Sequence, residues 1–257
     1  MKEGAKIYKL AKKLFPYNRS LAGKDNLKTL IELKKIFKNL KIKKIKTNQR
    51  VFDWKIQYEW EVKSAKLKNL NGEEIINFKD NNLHLVSHSI KINKIVSLKE
   101  LKKHLFYDKK LPNAIPYRTT YYNKNWGFCL TYNQFKRIKD KRYKVEIDTA
   151  FKKGNMHYGE VLIKGKSKKE VFLSTNVCHP SLANNELSGP TVLIFIAKYI
   201  SKLTNNKFSY RIIFIPETIG AIAYLNKYRD IMSKNFFVGF NCVCLGDEKE
   251  YSFLPSR

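Results

Sequence analysis

Hydrophobic and polar residues alternate in two different ways along the 257-residue chain. Residues 26–40 carry leucine, isoleucine and phenylalanine at helical spacing with lysines on the other face, which predicts an amphipathic helix. From about residue 46 to residue 130, short β-prone segments such as VFDW, YEWEVKSAKL and LHLVSHSIKI are separated by Asn, Gly and Lys clusters. One helix interrupts them, because Ser97 and Glu100 form a capping-box sequence ahead of LKKHLF. This stretch predicts a small antiparallel, β-rich lobe.

From residue 143 onwards, longer apolar segments alternate with helical patterns. EVFLSTNV, FSYRIIFIP and FFVGFNCVCLG predict strands, and LSGPTVLIFIAKYISKL and TIGAIAYLNKYRD predict the helices between them. Near-continuous apolar strands are typical of a parallel sheet covered on both faces. Before them, YKVEIDTAF and MHYGEVLIKG predict adjacent strands joined by a turn at residues 152–155. The predicted fold class is α/β, a mostly parallel sheet flanked by helices: an N-terminal helical part (1–45), an inserted β-rich lobe (46–135) and the α/β core (136–257).

The net charge of +29 suggests polyanionic partners, but the distribution of the charge argues otherwise. The basic residues are 43 lysines and 8 arginines spread along the whole chain, whereas nucleic-acid recognition favours clustered arginines. No helix-turn-helix, zinc-finger or RNA-binding pattern is present in the sequence. We therefore expect no specific nucleic-acid partner, and a charge-driven nucleic-acid binder stays an alternative.

Cysteine usage and hydropathy indicate the cell compartment. The four cysteines form no CxxC pair, and the basic N-terminus lacks the apolar region of a secretory signal. The longest apolar runs, TVLIFIA and RIIFIP, are far shorter than the roughly 20 residues that span a bilayer. We expect a soluble, cytoplasmic protein with no membrane span.

Polar residues follow each of the three predicted parallel strands. His179 follows the first, Glu217 the second, and Asp247 and Glu248 the third. Because the carboxyl ends of parallel strands meet at one edge of a sheet, we expect these side chains to converge. Imidazole and carboxylate groups bind Zn²⁺, and a further carboxylate can remove a proton from water. The pattern predicts a hydrolytic zinc site with Glu217 as the general base.

Each of these residues also has a simpler structural explanation. His179 precedes a proline and could satisfy a turn, and Glu217 could be a helix N-terminal carboxylate favoured by the dipole. Asp247 and Glu248 could belong to a solvated loop. Cys178 adjoins His179, but neighbouring residues on a strand point to opposite faces, which argues against a thiol–imidazole pair.

Six stretches, in order, resemble an aminopeptidase-like family found among bacterial surface-polysaccharide biosynthesis proteins, a relative of the co-catalytic zinc aminopeptidases. They are LFPYNRSLAG (14–23), VFDWKIQYEW (51–60), AIPYRTTYYNKNWGFCL (114–130), CHPSLANNELSGP (178–190), IPETIGAIAYL (215–225) and GDEKEYSFLPSR (246–257). The resemblance implies a zinc-aminopeptidase (phosphorylase/hydrolase)-like fold and zinc-dependent hydrolysis of a peptide or amide bond in a small substrate. It places His179 at the first histidine ligand, Asn185 at the metal-bridging aspartate and Glu217 at the catalytic base.

The chain departs from the family's zinc-binding pattern at several positions. Ser181 stands where zinc aminopeptidases have an aspartate, and Thr218 stands where they have a second glutamate. An amide oxygen at Asn185 is a neutral ligand that cannot bridge two ions as a carboxylate does. We therefore expect one zinc ion or none, with Glu186 as an alternative ligand if the helix start is turned by one residue.

Two further expectations follow from the resemblance and the residues. Family members continue past the position of Arg257, so we expect a truncated or split-gene product, a C-terminal completing chain or a homo-oligomer. The depleted ligand set also favours an alternative function, a non-catalytic scaffold that binds a glycan or partner. Its candidate surface consists of the aromatic residues Tyr117, Tyr121, Tyr122 and Trp126.

Overall fold

A computed structural model describes residues 2–246 and 252–255. Its chain divides into two compact units, one comprising residues 1–59 and 153–257 and the other Trp60–Lys152. The second unit contains most of the stretch predicted as a β-rich lobe, although the two sets of boundaries differ. Whether either part is a domain that folds on its own stays a prediction.

The helices and strands are named in chain order. They are α1 (Glu3–Leu14), α2 (Lys24–Ile36), β1 (Lys41–Lys46), β2 (Arg50–Val51), β3 (Trp54–Lys55), β4 (Glu59–Asn69), β5 (Glu74–Asn77), β6 (Ile92–Ser97), α3 (Leu98–Lys102), β7 (Leu105–Phe106), β8 (Phe128–Cys129), α4 (Tyr132–Phe135), β9 (Arg142–Lys152), β10 (Asn155–Ile163), β11 (Glu170–Asn176), α5 (Ser188–Ile200), β12 (Ser209–Ile215), α6 (Ile219–Asn235) and β13 (Phe236–Asn241). A 3₁₀ turn at Asn82–His84 and a π-helical turn at Ala183–Leu187 complete the elements of the described residues.

The first unit is built on a sheet whose described strands run in the order β1-β10-β12-β11-β13. β11 is parallel to both β12 and β13, and α5 and α6 connect these strands, which confirms the predicted α/β core. β10 is antiparallel to both β1 and β12, so the sheet is mixed. The prediction that β9 and β10 pair with each other is wrong, since they belong to different sheets. β10 already has a neighbour on each side, and those neighbours take up its backbone hydrogen bonds.

Opposite faces of this sheet bury different kinds of residue. On one face, α1, α2 and α5 contribute to an apolar core that includes Leu14, Leu30, Leu193 and Phe214, all 0% exposed. Their burial supplies the hydrophobic stabilisation of the unit. None of the helices in the described part of the chain is long and apolar enough to cross a membrane.

The other face carries a buried polar network centred on Arg211 of β12. Its guanidinium donates two hydrogen bonds to Glu170 (2.6 and 2.8 Å) and one to Glu160 (3.2 Å). The same guanidinium donates to the hydroxyl of Tyr224 on α6 (3.2 Å), so this helix packs over the network. Buried charges persist when they are paired and hydrogen-bonded, and the network meets that condition.

The second unit contains a sheet in the order β5-β4-β9-β6, with antiparallel β4–β5 and β6–β9 pairs. This confirms the predicted antiparallel, β-rich character. Ser97 caps α3 by accepting a hydrogen bond from the backbone N–H of Glu100 (3.2 Å), as the capping sequence predicts. Trp126 is 5% exposed within the apolar core of this unit, whereas Tyr122 is 60% exposed. The predicted aromatic surface therefore does not include Trp126.

Candidate metal centre

The carboxyl ends of β11 and β12 bring His179 and Glu217 together. The two strands are parallel neighbours to their last residues, Asn176 and Ile215, and Val177 continues the pairing through a hydrogen bond to Ile215 (3.0 Å). Beyond this point, Nε2 of His179 lies 3.9 Å from a carboxylate oxygen of Glu217. The side chain of His179 is 11% exposed and that of Glu217 is 52% exposed. The site is therefore open to solvent on the Glu217 side.

Glu186 lies behind His179 and is completely buried. The π-helical turn at Ala183–Leu187 precedes α5 and directs this carboxylate towards the end of β11. One oxygen of Glu186 lies 2.8 Å from Nδ1 of His179, and the other accepts the backbone N–H groups of Cys178 (2.6 Å) and His179 (3.0 Å). Burial raises the pKa of Glu186, but the hydrogen bonds from His179 and from the backbone outweigh it and leave the pKa below its usual value. Glu186 is therefore an acceptor for three hydrogen-bond donors at the end of β11.

Cys178 contacts His179, contrary to the alternation expected along a strand. Its Sγ is 3.9 Å from both ring nitrogens of His179 and accepts the backbone N–H of Glu217 (3.2 Å). The alternation does not apply because β11 ends at Asn176, two residues earlier. Burial raises the pKa of the Cys178 thiol well above its usual value. A protonated, buried thiol is a poor nucleophile, so the geometry gives Cys178 no nucleophilic role.

Arg19 supports the site, although no local sequence pattern points to it. Its fully buried guanidinium donates to the backbone carbonyl of His179 (3.0 Å) and to that of Leu14 (2.7 Å). Burial lowers the pKa of Arg19 to about 10, while the negative charge of Glu186 opposes this shift. Only the resemblance covered this residue, within LFPYNRSLAG, because no local pattern links it to a histidine 160 positions away.

Four side chains at the sheet edge carry atoms of the kinds that bind zinc, although Cys178 is a buried thiol and Glu186 is held by His179 and the backbone. One atom from each of Cys178, His179, Glu186 and Glu217 lies within 4.8 Å of the others. Asn185, the neighbour of Glu186 in the chain, has a buried amide oxygen with no hydrogen-bond partner among the described residues, and a cation would satisfy it. Imidazole nitrogen and carboxylate oxygen are zinc ligands, and a neutral amide oxygen suits one ion better than a bridged pair. Asp247 and Glu248, expected at the third strand end, lie outside the described residues.

Two strained backbone positions flank the site. Ser181 has φ 44° and Thr218 has φ 55°, both in the left-handed region that non-glycine residues rarely adopt. Each such residue costs roughly 1–3 kcal/mol, and this strain is common at functional sites. The hydroxyl of Ser181 donates to the carbonyl of Phe15 (2.8 Å), which anchors this turn to the N-terminal segment.

An apolar cavity of about 240 Å³ adjoins Glu217. Phe172 and Ile213 from the sheet and Leu225 and Met232 from α6 line it, and Glu217 is among its polar lining residues. Apolar cavities with a few polar groups are common ligand sites.

Comparisons with known proteins give a family and a curated relative. Residues 8–257 match the family described as Domain of unknown function (DUF4910). A curated Clostridium acetobutylicum protein, named for polysaccharide biosynthesis and an aminopeptidase-like domain, is 43% identical over 244 residues, which is 95% of this chain and 56% of that protein. This chain thus spans just over half the length of that relative.

Solved structures show the same fold. The crystal structure of a putative peptidase from Clostridium acetobutylicum matches with a TM-score of 0.91 and 42% identity, covering 95% of this chain and 57% of that one. A zinc aminopeptidase from Bacillus subtilis matches with a TM-score of 0.65 and 14% identity, covering 95% of this chain and 69% of that one. At that identity the second likeness concerns the fold alone.

Proposed function

Because this chain belongs to the DUF4910 family and has the zinc-aminopeptidase fold, we propose that it is a zinc-dependent aminopeptidase-like hydrolase of surface-polysaccharide biosynthesis. Its substrate would be a small molecule with a peptide or amide bond. The observation that carries the proposal is the 3.9 Å approach of His179 Nε2 and the Glu217 carboxylate at the sheet edge. A cytoplasmic location, and a completing chain or homo-oligomer as partner, stay predictions.

The chain's own residues divide the chemical work. His179 and Asn185 would hold one zinc ion, and the ion would supply Lewis acidity at the carbonyl of the substrate. Glu217 is half exposed and faces the imidazole, so it can take a proton from an attacking water and return it to the leaving amine. The buried thiol of Cys178 accepts the Glu217 backbone N–H and helps to hold this segment in place.

Zinc titration and hydrolysis assays test the proposal together. We expect calorimetry on chelator-treated protein to give one Zn²⁺ per chain, and His179→Ala to abolish the binding. Glu217→Gln should keep zinc but slow hydrolysis of aminoacyl p-nitroanilides by about 100-fold or more, the range of a lost general base. His157→Ala, on β10, is the matched histidine control and should bind zinc as the unaltered chain does. Unchanged zinc binding by His179→Ala would contradict the proposed site.

Asn185→Asp tests the amide at the position of the bridging aspartate. A carboxylate there would add negative charge and a bridging ligand, so we expect tighter zinc binding and a second bound ion.

If the unaltered chain neither binds zinc nor hydrolyses any substrate, the non-catalytic scaffold is favoured instead. The exposed Tyr122, rather than the buried Trp126, would then be the aromatic residue to test for glycan binding.

A further inference from the structure

We propose that Glu186 is a positioning residue that sets the tautomer of His179, and not a metal ligand. Its carboxylate accepts the Nδ1–H of the imidazole, so the lone pair of Nε2 is directed towards Glu217 and the metal position. The inference rests on the proposed function, but its central step concerns the chain without metal.

The hydrogen bonds around Glu186 determine which ring nitrogen carries the proton. One oxygen of Glu186 accepts two backbone N–H groups, as a carboxylate does, and the other oxygen lies 2.8 Å from Nδ1 of His179. A carboxylate only accepts hydrogen bonds. Nδ1 must therefore be the donor. A neutral imidazole has one N–H, so Nε2 is left with a lone pair, the form that binds a metal. Metal-binding histidines commonly donate their other N–H to a carboxylate in this way.

A direct ligand role for Glu186 would break bonds that the structure makes. One carboxylate oxygen holds the backbone N–H groups of Cys178 and His179, and the side chain is 0% exposed. Moving that oxygen to a metal would leave the buried N–H of Cys178 and the part-buried N–H of His179 unpaired, and a buried unpaired donor costs about 1–3 kcal/mol. Binding a metal through the other oxygen would break its hydrogen bond to Nδ1 of His179. The π-helical turn resists the movement, because the backbone N–H of Glu186 is bonded to the carbonyl of Leu182 (2.8 Å).

Hydrogen bonds from residues near the end of the described chain also fix the start of α5. The side-chain oxygen of Asn184 accepts the N–H of Gly246 (2.8 Å), and the hydroxyl of Ser188 accepts that of Leu245 (2.8 Å). A Cβ at Gly189 would lie 2.1 Å from Oγ1 of Thr175, so the helix start packs directly on β11. This packing keeps the carboxylate of Glu186 in register with His179.

Glu186→Gln is the sharpest test because it has the same shape. The two backbone N–H groups require an acceptor, so the amide oxygen should face them and the amide NH₂ should face Nδ1 of His179. Nδ1 then becomes an acceptor, and the proton moves to Nε2. We expect long-range ¹H–¹⁵N imidazole NMR of zinc-free protein at alkaline pH to show the Nδ1–H tautomer in the unaltered chain and the Nε2–H tautomer in Glu186→Gln. The spectrum of His179→Ala assigns the signal.

Zinc affinity provides the second measurement. Because the Nε2 lone pair is lost, Glu186→Gln should weaken zinc binding by about 10- to 100-fold, the usual effect of losing such a partner. Glu217→Gln is the control and should leave the tautomer unchanged.

Two outcomes would overturn the inference. One is an Nε2–H tautomer in the unaltered chain, a measurement that does not depend on any variant being folded. The other is a Glu186→Gln protein that loses zinc while keeping the Nδ1–H tautomer, which would make Glu186 a ligand. Absence of zinc binding by a chain with the Nδ1–H tautomer would instead refute the proposed function alone.

Discussion

His88 in the second unit should make the protein lose stability in mild acid. Its side chain is 2% exposed, stacked on Trp60 (ring centroids 5.2 Å apart) and edge-on to Tyr121 (4.7 Å). Nδ1 lies 3.0 Å from the hydroxyl of Ser87, and Nε2 is buried with no hydrogen-bond partner in the described part of the chain. Burial lowers the pKa of His88 to about 3.

The size of the effect follows from the gap between the folded and unfolded pKa values. The pKa of histidine in an unfolded chain is about 6.5, so below that pH His88 binds a proton in the unfolded chain but stays unprotonated in the folded chain. The pKa of His88 is lower in the folded chain than in the unfolded chain. Its contribution to the unfolding free energy is therefore fully present above pH 6.5, and the unfolding free energy decreases by about 1.4 kcal/mol for each pH unit below that. His88 alone should cost about 2 kcal/mol between pH 7 and pH 5, and at most about 5 kcal/mol near pH 3.

Urea unfolding at both pH values, followed by tryptophan fluorescence, measures this cost. His88 has φ 66°, and asparagine tolerates that backbone conformation, so His88→Asn removes the titrating group with little backbone strain. The variant should be less stable at pH 7, but its loss between pH 7 and pH 5 should be smaller by about 2 kcal/mol. Burial also lowers the pKa values of His84 and His157, and their contributions cancel in the comparison. Ser87→Ala keeps His88 and should keep the full loss. Equal losses of unfolding free energy between pH 7 and pH 5 in His88→Asn and in the unaltered chain would refute the reasoning.

Three further substitutions test the packing and electrostatics by urea unfolding. Arg211→Met should lower the unfolding free energy by about 3–5 kcal/mol, because it leaves buried carboxylates unpaired, and a value below about 1 kcal/mol would contradict this. Hydrogen bonds from two lysines lower the pKa of Glu146 to about 2, so its contribution is present at neutral pH and lost as pH falls towards that value. Glu146→Gln should therefore cost less than about 1 kcal/mol at pH 7 and nothing near pH 2, and a pH-independent cost would refute it. Thr218→Gly should raise the unfolding free energy by about 1 kcal/mol by relieving strain, whereas Thr204→Gly, a control whose φ is not positive, should not.

The sequence predicted those features that depend on local pattern and on general rules of topology. Apolar strands alternating with helical patterns indicated the parallel β11, β12 and β13, because near-continuous apolar strands are typical of parallel sheets. At the sheet edge β13 is nevertheless largely exposed. Parallel neighbours end at one edge, so the approach of His179 and Glu217 followed without knowledge of the precise boundaries.

Predictions failed where a segment's partners lie far along the chain. The alternating LHLVSHSIKI segment predicted a strand, but residues 85–91 follow an irregular path in which His88 has φ 66°. β9 and β10 are consecutive and both β-prone, yet they join different sheets. A period of two shows that a segment can be extended, but not which neighbour receives its hydrogen bonds.

The sequence by itself thus determined the α/β class, the antiparallel lobe and the edge at which the polar side chains gather, since hydrophobic period and chain order are sufficient for these. Only the tertiary structure decided how the candidate site is arranged. A π-helical turn, held by contacts from distant residues, directs Glu186 towards His179, and the early end of β11 brings Cys178 against the same ring. A shift of about one residue in the start of the helix or the end of the strand would change which side chains face His179. Packing and hydrogen bonding between segments far apart in the sequence set these positions.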